Sequence, residues 1–295
     1  MDYPSMTNNK PVLALVVLVL IWGYSWIVTK QALFWSAPLD FAALRSIFGG
    51  LCLLPVIIWQ GGSLQPLYIK SMLWLALLQT VGFLGCSALA LAEGAVGRSI
   101  VLAYTMPLWA VIFAAWFLGE RLYHLQWLAL GLASLGLIGI INPWEANFTL
   151  ASTLFALAAG LWWGISVVVS KRLKLNNTLE LLNVTAWQML LGGILLEVLA
   201  YFIPSKPITW NAPFLWALAY AAILTSALGW LLWLYVLQKL SASVTGLSSL
   251  AVPVISMALA WLILDEIPTL GEMVGMLLIL TSLTILSLAA LRYRS

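Results

Sequence analysis

The chain has 295 residues, 63% of them apolar and only 8% charged, with 17 tryptophans and a formal net charge of +3. A soluble domain carries about 25% charged residues, and 13 basic plus 10 acidic side chains cannot coat a water-facing surface of this size. Soluble multidomain enzymes, secreted disulfide scaffolds and disordered chains are excluded, leaving an all-α polytopic membrane protein whose charge bears on orientation and not on nucleic acid.

Crossing the hydrocarbon core takes about 20 apolar residues in a helix. Ten such stretches run over 11–30, 38–59, 71–92, 97–118, 124–142, 150–170, 180–203, 213–237, 243–264 and 270–291. The first is too long for a signal peptide, and no small-residue cleavage site follows it. Short connections leave no room for a soluble domain between spans, so function is expected inside the bundle. With the amino terminus inside, Lys10, Lys70, Arg121, Lys171, Arg172, Lys174, Lys239, Arg292 and Arg294 are cytoplasmic, against Lys30, Arg98 and Lys206 outside. This asymmetry predicts both termini in the cytoplasm. Glu93, Glu145, Asp265, Glu266 and Glu272 fall on the outer side.

Taken in chain order, span 1 carries Trp22, Gly23, Ser25 and Lys30, and span 2 carries Arg45 about two turns from its outer end. An ionisable residue in a membrane segment is costly and is a functional candidate. Cys52 and Cys86 each lie in an apolar run and read as small buried hydrophobes. In span 3, Gln79, Phe83 and Cys86 share a helical face, where the Gln79 amide serves either a solute or an interhelical hydrogen bond. Span 4 holds Tyr104 and Pro107; the proline disturbs the Ala103 carbonyl and is a candidate hinge. His124, the single histidine, follows in a cytoplasmic connection and reads as a solvated loop residue. Span 6 carries Trp163, and span 7 carries Glu197 at a depth matching Arg45, where the two can pair or snorkel; Glu197 is the candidate coupling acid. Span 8 adds Thr225 and Trp230. Span 9 adds Ser249 and the second hinge candidate Pro253, and span 10 adds Gly271 and Gly275, a small-residue face suited to internal packing. Trp35, Trp59, Trp74, Trp144, Trp210 and Trp216 lie near span ends and fit an interfacial belt.

The chain repeats itself. Trp22-Gly23-x-Ser25 with Val28 and Lys30 aligns with Trp163-Gly164-x-Ser166 with Val169 and Lys171. Ala43 with Gly49-Gly50 aligns with Ala186 and Gly192-Gly193, placing Arg45 opposite Gln188; Gln79 aligns with Thr225, and Pro107 before Gly119-Glu120 with Pro253 before Asp265-Glu266. Two halves, 1–146 and 147–295, follow, each of five spans, and an odd number places the second upside down relative to the first. Inverted repeats are the architecture of carriers with a midplane site that opens to alternate faces. Trp22 and Trp163, at equivalent positions, then both face the central axis or both face away.

These residues resemble the EamA family of the drug/metabolite transporter superfamily in the ten spans, the duplicated Trp-Gly-x-Ser signature, the prolines of spans 4 and 9 and the acids ending those spans. The resemblance implies a bacterial inner-membrane permease, often an exporter of amino acids or other small metabolites, and the family includes aromatic amino-acid exporters of the YddG type. It implies a basket of ten helices around a central cavity. Substrate-site candidates are Trp22, Gln79, Phe83, Tyr104, Trp163, Thr225, Trp230 and Ser249. No cofactor or metal is expected, and the partners are a small-molecule substrate and the lipid bilayer, with the chain a monomer or weak homodimer. A drug, nucleobase or lipid exporter of the same fold, or a channel-like facilitator, is the alternative. An intramembrane enzyme would need a cluster of acids, histidines or cysteines, and an ATP-driven pump a phosphate-binding loop; neither pattern is in the chain.

Overall fold

The computed structural model describes the backbone of residues 10–93, 96–119, 124–141, 150–203, 205–240, 245, 248–249, 251–264 and 270–292. They form an all-α bundle whose rods follow the ten apolar stretches, the ninth, read from 243, being described as a helix only from Ala251: α1 Lys10–Ala32, α2 Pro38–Trp59, α3 Ile69–Glu93, α4 in pieces Val96–Ala103, Met106–Phe113 and Ala114–Leu118, and α5 His124–Ile141. The second five are α6 Leu150–Arg172, α7 Thr178–Tyr201, α8 Ala212–Lys239, α9 Ala251–Leu264 and α10 Leu270–Arg292. Six of the continuous ones (α1, α2, α3, α6, α7 and α8) are long and apolar enough to cross a membrane. The 146/147 boundary between the halves, Trp144, Glu145, Arg121, Asp265, Glu266 and Arg294 lie outside the described residues.

Local chemistry sets the ends. Pro38 opens α2 with a fixed φ and no orphan donor. Asn177 and Asn211 cap α7 and α8, their side-chain oxygens accepting from the Glu180 and Phe214 amides at 2.9 Å each; such a cap contributes about 1 kcal/mol. Gly119 closes α4 at φ 67°, a left-handed conformation glycine adopts without penalty. Asn183 of α7 holds the α2–α3 connection, accepting from Leu67 N at 3.0 Å and donating to the Ser63 and Gln65 carbonyls at 3.0 and 2.9 Å.

Three rods depart from α-helical geometry, α4 with a π-helical last piece, Ala114–Leu118, and α3 and α8 over longer stretches. Ala76–Gly85 of α3 and Tyr220–Leu228 of α8 are π-helical, with wider turns bonded i→i+5. These are the stretches that carry Gln79 and Thr225. α4 is interrupted at Tyr104 and Thr105, immediately before Pro107, as expected where a proline withdraws a donor.

The rods pack crosswise. α1 lies against α8 and α9, and α6 against α3 and α4; α2 lies against α7 and α8, and α7 against α2 and α3; α5 pairs with α10. Adding five to each label, counted round from ten to one, returns the same set of neighbours. The closest approaches repeat in the same way. A Cβ on Gly23 would lie 2.6 Å from the Ile255 side chain, and one on Gly164 would lie 2.5 Å from that of Trp109. Both targets stand two residues beyond a proline, Pro253 and Pro107 respectively. Gly136 and Gly139 of α5 meet the Gly275 and Gly271 carbonyls, so the small-residue face of α10 is spent on internal packing. The outer surface is apolar, with side chains such as Leu13, Ile58, Leu195 and Leu277 exposed, as lipid contact requires.

Candidate functional site

The Trp-Gly-x-Ser helices meet at the centre. Trp22 of α1, Trp163 of α6 and Trp230 and Trp233 of α8 form a knot of indoles, with ring centroids 5.4 Å apart for Trp22–Trp163, 5.3 Å for Trp163–Trp230 and 4.9 Å for Trp163–Trp233. Phe83 of α3 packs edge-on against Trp163 at 4.6 Å. Such pairs add about 0.5–1.5 kcal/mol beyond area burial. The knot needs close backbones: a Cβ on Gly229 would collide with the Trp22 indole, whose Nε1 donates to the Thr225 carbonyl at 3.2 Å. That carbonyl belongs to the π-helical turn, so the distorted helix anchors the ring.

Above the knot, toward the face that holds the α1–α2 connection, lies a cavity of about 60 Å³. Trp22, Trp163, Trp230 and Phe83 form its floor, while Trp26, Tyr104 and Phe41 wall it. The Trp26 indole donates to the Tyr104 hydroxyl at 3.2 Å, joining α1 to the break in α4. A volume near 60 Å³ is far below the roughly 300–1,000 Å³ of ordinary small-molecule sites, so a solute of several heavy atoms requires the walls to part. Polar groups on the lining are Ser25, Thr29, Ser87, Tyr104, Thr225 and Arg45.

Arg45 is 7% exposed and donates from Nε to Ser226 Oγ at 3.1 Å. The expected pairing with Glu197 is not made: Glu197 is exposed on the outside of α7, where its charged neighbour is Asp40, and it does not line the cavity. Equal depth in two spans says nothing about the direction in which each side chain leaves its helix. A charged side chain at the centre of a span costs about 2.5–3.5 kcal/mol in insertion, and Ser226 alone does not offset that.

Six of the eight substrate-site candidates, Trp22, Phe83, Tyr104, Trp163, Thr225 and Trp230, therefore converge on one cavity. Gln79 and Ser249 do not. Gln79 sits one turn further along α3 and donates to Ser170 Oγ at 3.4 Å, an interhelical bond. Ser249 is buried at the turn before α9, and its carbonyl accepts from Val252 N at 3.0 Å. Cys86 is off the lining, which takes Phe83, Leu84, Ser87, Ala88 and Leu91, an i, i+1, i+4, i+5, i+8 stripe of α3 that leaves Cys86 to one side. The hinge candidates Pro107 and Pro253 each stand two residues before a close helix crossing, Trp109 against Gly164 of α6 and Ile255 against Gly23 of α1. Ser25 enters the sequence reading only through the repeated motif, and Trp26 and Thr29 not at all, although with Trp22 they occupy i, i+3, i+4 and i+7, one face of α1.

Below the knot, at the face holding Lys10, the bundle is strapped shut. Lys171, ending α6, donates to the Leu237 and Leu240 carbonyls at 2.7 and 2.5 Å, and Gln238, ending α8, donates to the Ser170 and Leu173 carbonyls at 3.0 and 2.8 Å. Each helix thus satisfies the orphan carbonyls of the other's last turn, where a cation is also favoured by the helix dipole. Arg172 adds a bond to the Phe117 carbonyl of α4 at 2.8 Å. Lys171→Met, which keeps the stem and removes the donors, is expected to raise maleimide labelling of a cysteine placed at Ser170 from the Lys10 face several-fold, read by gel shift on intact vesicles.

Among the described residues no three histidine, cysteine or carboxylate side chains gather as metal ligands would. The described cavity walls provide aromatic surface, hydroxyls and one guanidinium, a set suited to non-covalent contact with a solute.

Comparison with known proteins places the chain in a family. The model of the EamA-like transporter family matches residues 9–142 and again 150–288. The chain belongs to the EamA-like transporter family. It is similar to the uncharacterized transporter YoaV of Bacillus subtilis, at 28% identity over 92% of this chain and 94% of the relative. It is similar as well to a probable amino-acid metabolite efflux pump of Escherichia coli, at 27% identity over 98% of each. One solved crystal structure shares the fold with a TM-score of 0.78 and 21% identity, over 98% of this chain and 100% of that one. This member of the family is a multi-pass small-molecule transporter and not an enzyme.

Proposed function

We propose that this transporter exports amino acids, aromatic or other hydrophobic ones, across the bacterial inner membrane by alternating access, with both termini in the cytoplasm. The observation that carries the reading is the aromatic-floored cavity between crosswise-packed halves, walled on one side of the indole knot and strapped shut on the other. The duplicated motifs, the two matches of the family model and the five-step repetition of helix contacts support two inverted five-helix halves, 1–146 and 147–295. Parting α6 from α8 at the Lys10 face while α1, α2 and α3 close over the cavity would pass solute from one side to the other. The breaks before Pro107 and Pro253 supply bending points for that motion. The substrate reading leans on the relative described as a probable amino-acid metabolite efflux pump and on aromatic walls that suit planar apolar side chains.

The test is flux of radiolabelled amino acids from proteoliposomes at several internal and external pH values. Saturable tryptophan or phenylalanine flux is the expected result. No amino-acid flux, with saturable movement of larger apolar compounds, would replace this reading with that of a drug or lipid exporter. Glu197 lies off the cavity, so Glu197→Gln is expected to leave the pH dependence of flux unchanged. A displaced pH profile would put this acid back in the coupling path.

A further inference from the structure

We infer that Arg45 is the anchor for a carboxylate, so that the cavity selects organic monocarboxylates with an apolar or aromatic body, with or without an amino group, and rejects the corresponding amines and amides. This rests on the proposal that the central cavity is the transport site. It adds the chemical group that is recognised and the residue that recognises it.

The argument begins with unused hydrogen-bonding capacity. A guanidinium has five N–H donors, and among the described residues Arg45 spends one, on Ser226. No carboxylate among the described residues pairs with it, and it is the one charged side chain on the lining. The remaining donors belong to the planar terminal fork, whose geometry matches two carboxylate oxygens. Two further lining groups are also unspent: Thr225 Oγ1, on a residue 2% exposed, and Ser87 Oγ, on a residue 7% exposed, are buried without a hydrogen-bond partner. Buried polar atoms are ordinarily paired, and these three stand on three different helices around one hollow. Thr225 and Arg45 line the same cavity, and Thr225 precedes the Ser226 that Arg45 bonds.

Charge decides the class of ligand. One uncompensated positive charge in a low-dielectric cavity attracts a single negative charge and repels an ammonium that arrives without one. A phosphate dianion would call for a second cation, and the lining holds none among the described residues. A bare inorganic anion would leave the aromatic floor unused. A carboxylate attached to a ring or branched chain uses both ends of the site, the head on Arg45 and the body over Trp22, Phe83 and Trp163. The hydroxyls of Thr225 and Ser87 can donate to the carboxylate or accept from an α-ammonium, so an amino group is accommodated but not demanded.

The experiment measures binding by calorimetry to the full chain in nanodiscs, alongside proteoliposome flux. Two matched series are used: L-tryptophan, indole-3-propionate, tryptamine and tryptophan amide; and L-leucine, isocaproate, isoamylamine and leucine amide. Within at least one series the two carboxylates are expected to bind within about three-fold of each other, and the amine and amide at least about ten-fold more weakly. Arg45→Gln is expected to weaken the carboxylates about ten-fold or more and to erase the preference over the amide. Should Arg45→Gln fail to give monodisperse protein, Ser87→Ala and Thr225→Val, which remove hydroxyls holding no structural bond, are each expected to weaken carboxylates about three- to ten-fold. Equal binding of amine and carboxylate, or a carboxylate preference that survives these substitutions, overturns the inference. Saturable flux of compounds lacking a carboxylate, with no carboxylate binding, also overturns it while leaving the transport reading intact. Absence of flux for every compound, with carboxylate binding retained, counts against the transport reading and not against the Arg45 site.

Discussion

Trp163→Ala is expected to abolish saturable flux and to lower the thermal stability of the purified protein. Trp163 is 1% exposed and touches Trp22, Phe83, Trp230 and Trp233 through its ring, so its removal takes away the centre of the knot. Truncating a buried tryptophan costs about 3–5 kcal/mol. Two consequences separate here. The loss of packing loosens four helices at once, which lowers the melting temperature. The loss of the floor joins the cavity to the region beneath it, where the Lys171, Gln238 and Arg172 straps then hold the Lys10 face closed. Trp163→Phe keeps an aromatic face and is expected to retain flux within about three-fold, because ring packing and not the indole nitrogen sustains the floor. Trp163→Ala protein that transports with unchanged maximal rate and half-saturation would remove the knot from the transport path.

The second large effect is expected at the crossing of α2 with α7. A Cβ on Gly50 would lie 2.8 Å from the Ala186 carbonyl oxygen and 2.7 Å from Leu190 Cγ, and one on Gly193 would lie 3.1 Å from the Ala43 carbonyl and 2.8 Å from Ile47 Cγ1. Carbonyl oxygens of a helix cannot step aside as a side-chain tip can, so Gly50→Val or Gly193→Val must push the two rods apart. Overpacking costs about 1–3 kcal/mol at one site, and the pair of substitutions is expected to prevent recovery of monodisperse protein. Gly131 of α5 has no atom within 4 Å of a built Cβ. Gly131→Ala is therefore the control, neutral or stabilising by up to about 1 kcal/mol through helix propensity. Thermal unfolding in detergent, followed by loss of the monodisperse peak, reads all three. A Gly193→Val protein as stable as the parent would contradict the close approach.

The same crossing shows how the repeat works as packing. Gly50 rests on Ala186 while Gly193 rests on Ala43, and the paired positions are those the sequence aligns between the halves. Gly23 and Gly164 do likewise against residues placed equally after Pro253 and Pro107. Small residues take these places because lipid offers no hydrophobic drive for helices to associate, so close backbone contact must provide it.

What the chain determined on its own was local. Span boundaries followed from length and apolarity, since every backbone polar group in lipid must be bonded within its own helix. The α2 boundaries agree with the reading to the residue, and the break in α4 falls where Pro107 withdraws its donor. Duplicated motifs located Trp22 and Trp163 without regard to fold. The facing of side chains belonged to tertiary structure. In water an apolar stripe marks the buried side of a helix, but lipid tails are as apolar as a protein core, and that signal is lost. Hence Glu197 and Arg45, alike in depth, part company: one is exposed beside Asp40, while the other turns into the cavity with Ser226 as its neighbour. Gln79 and Phe83, read as sharing a face of α3, part for a related reason. Phe83 reaches the cavity while the Gln79 amide is taken up by Ser170 of α6, a partner that only the packing of α3 against α6 supplies.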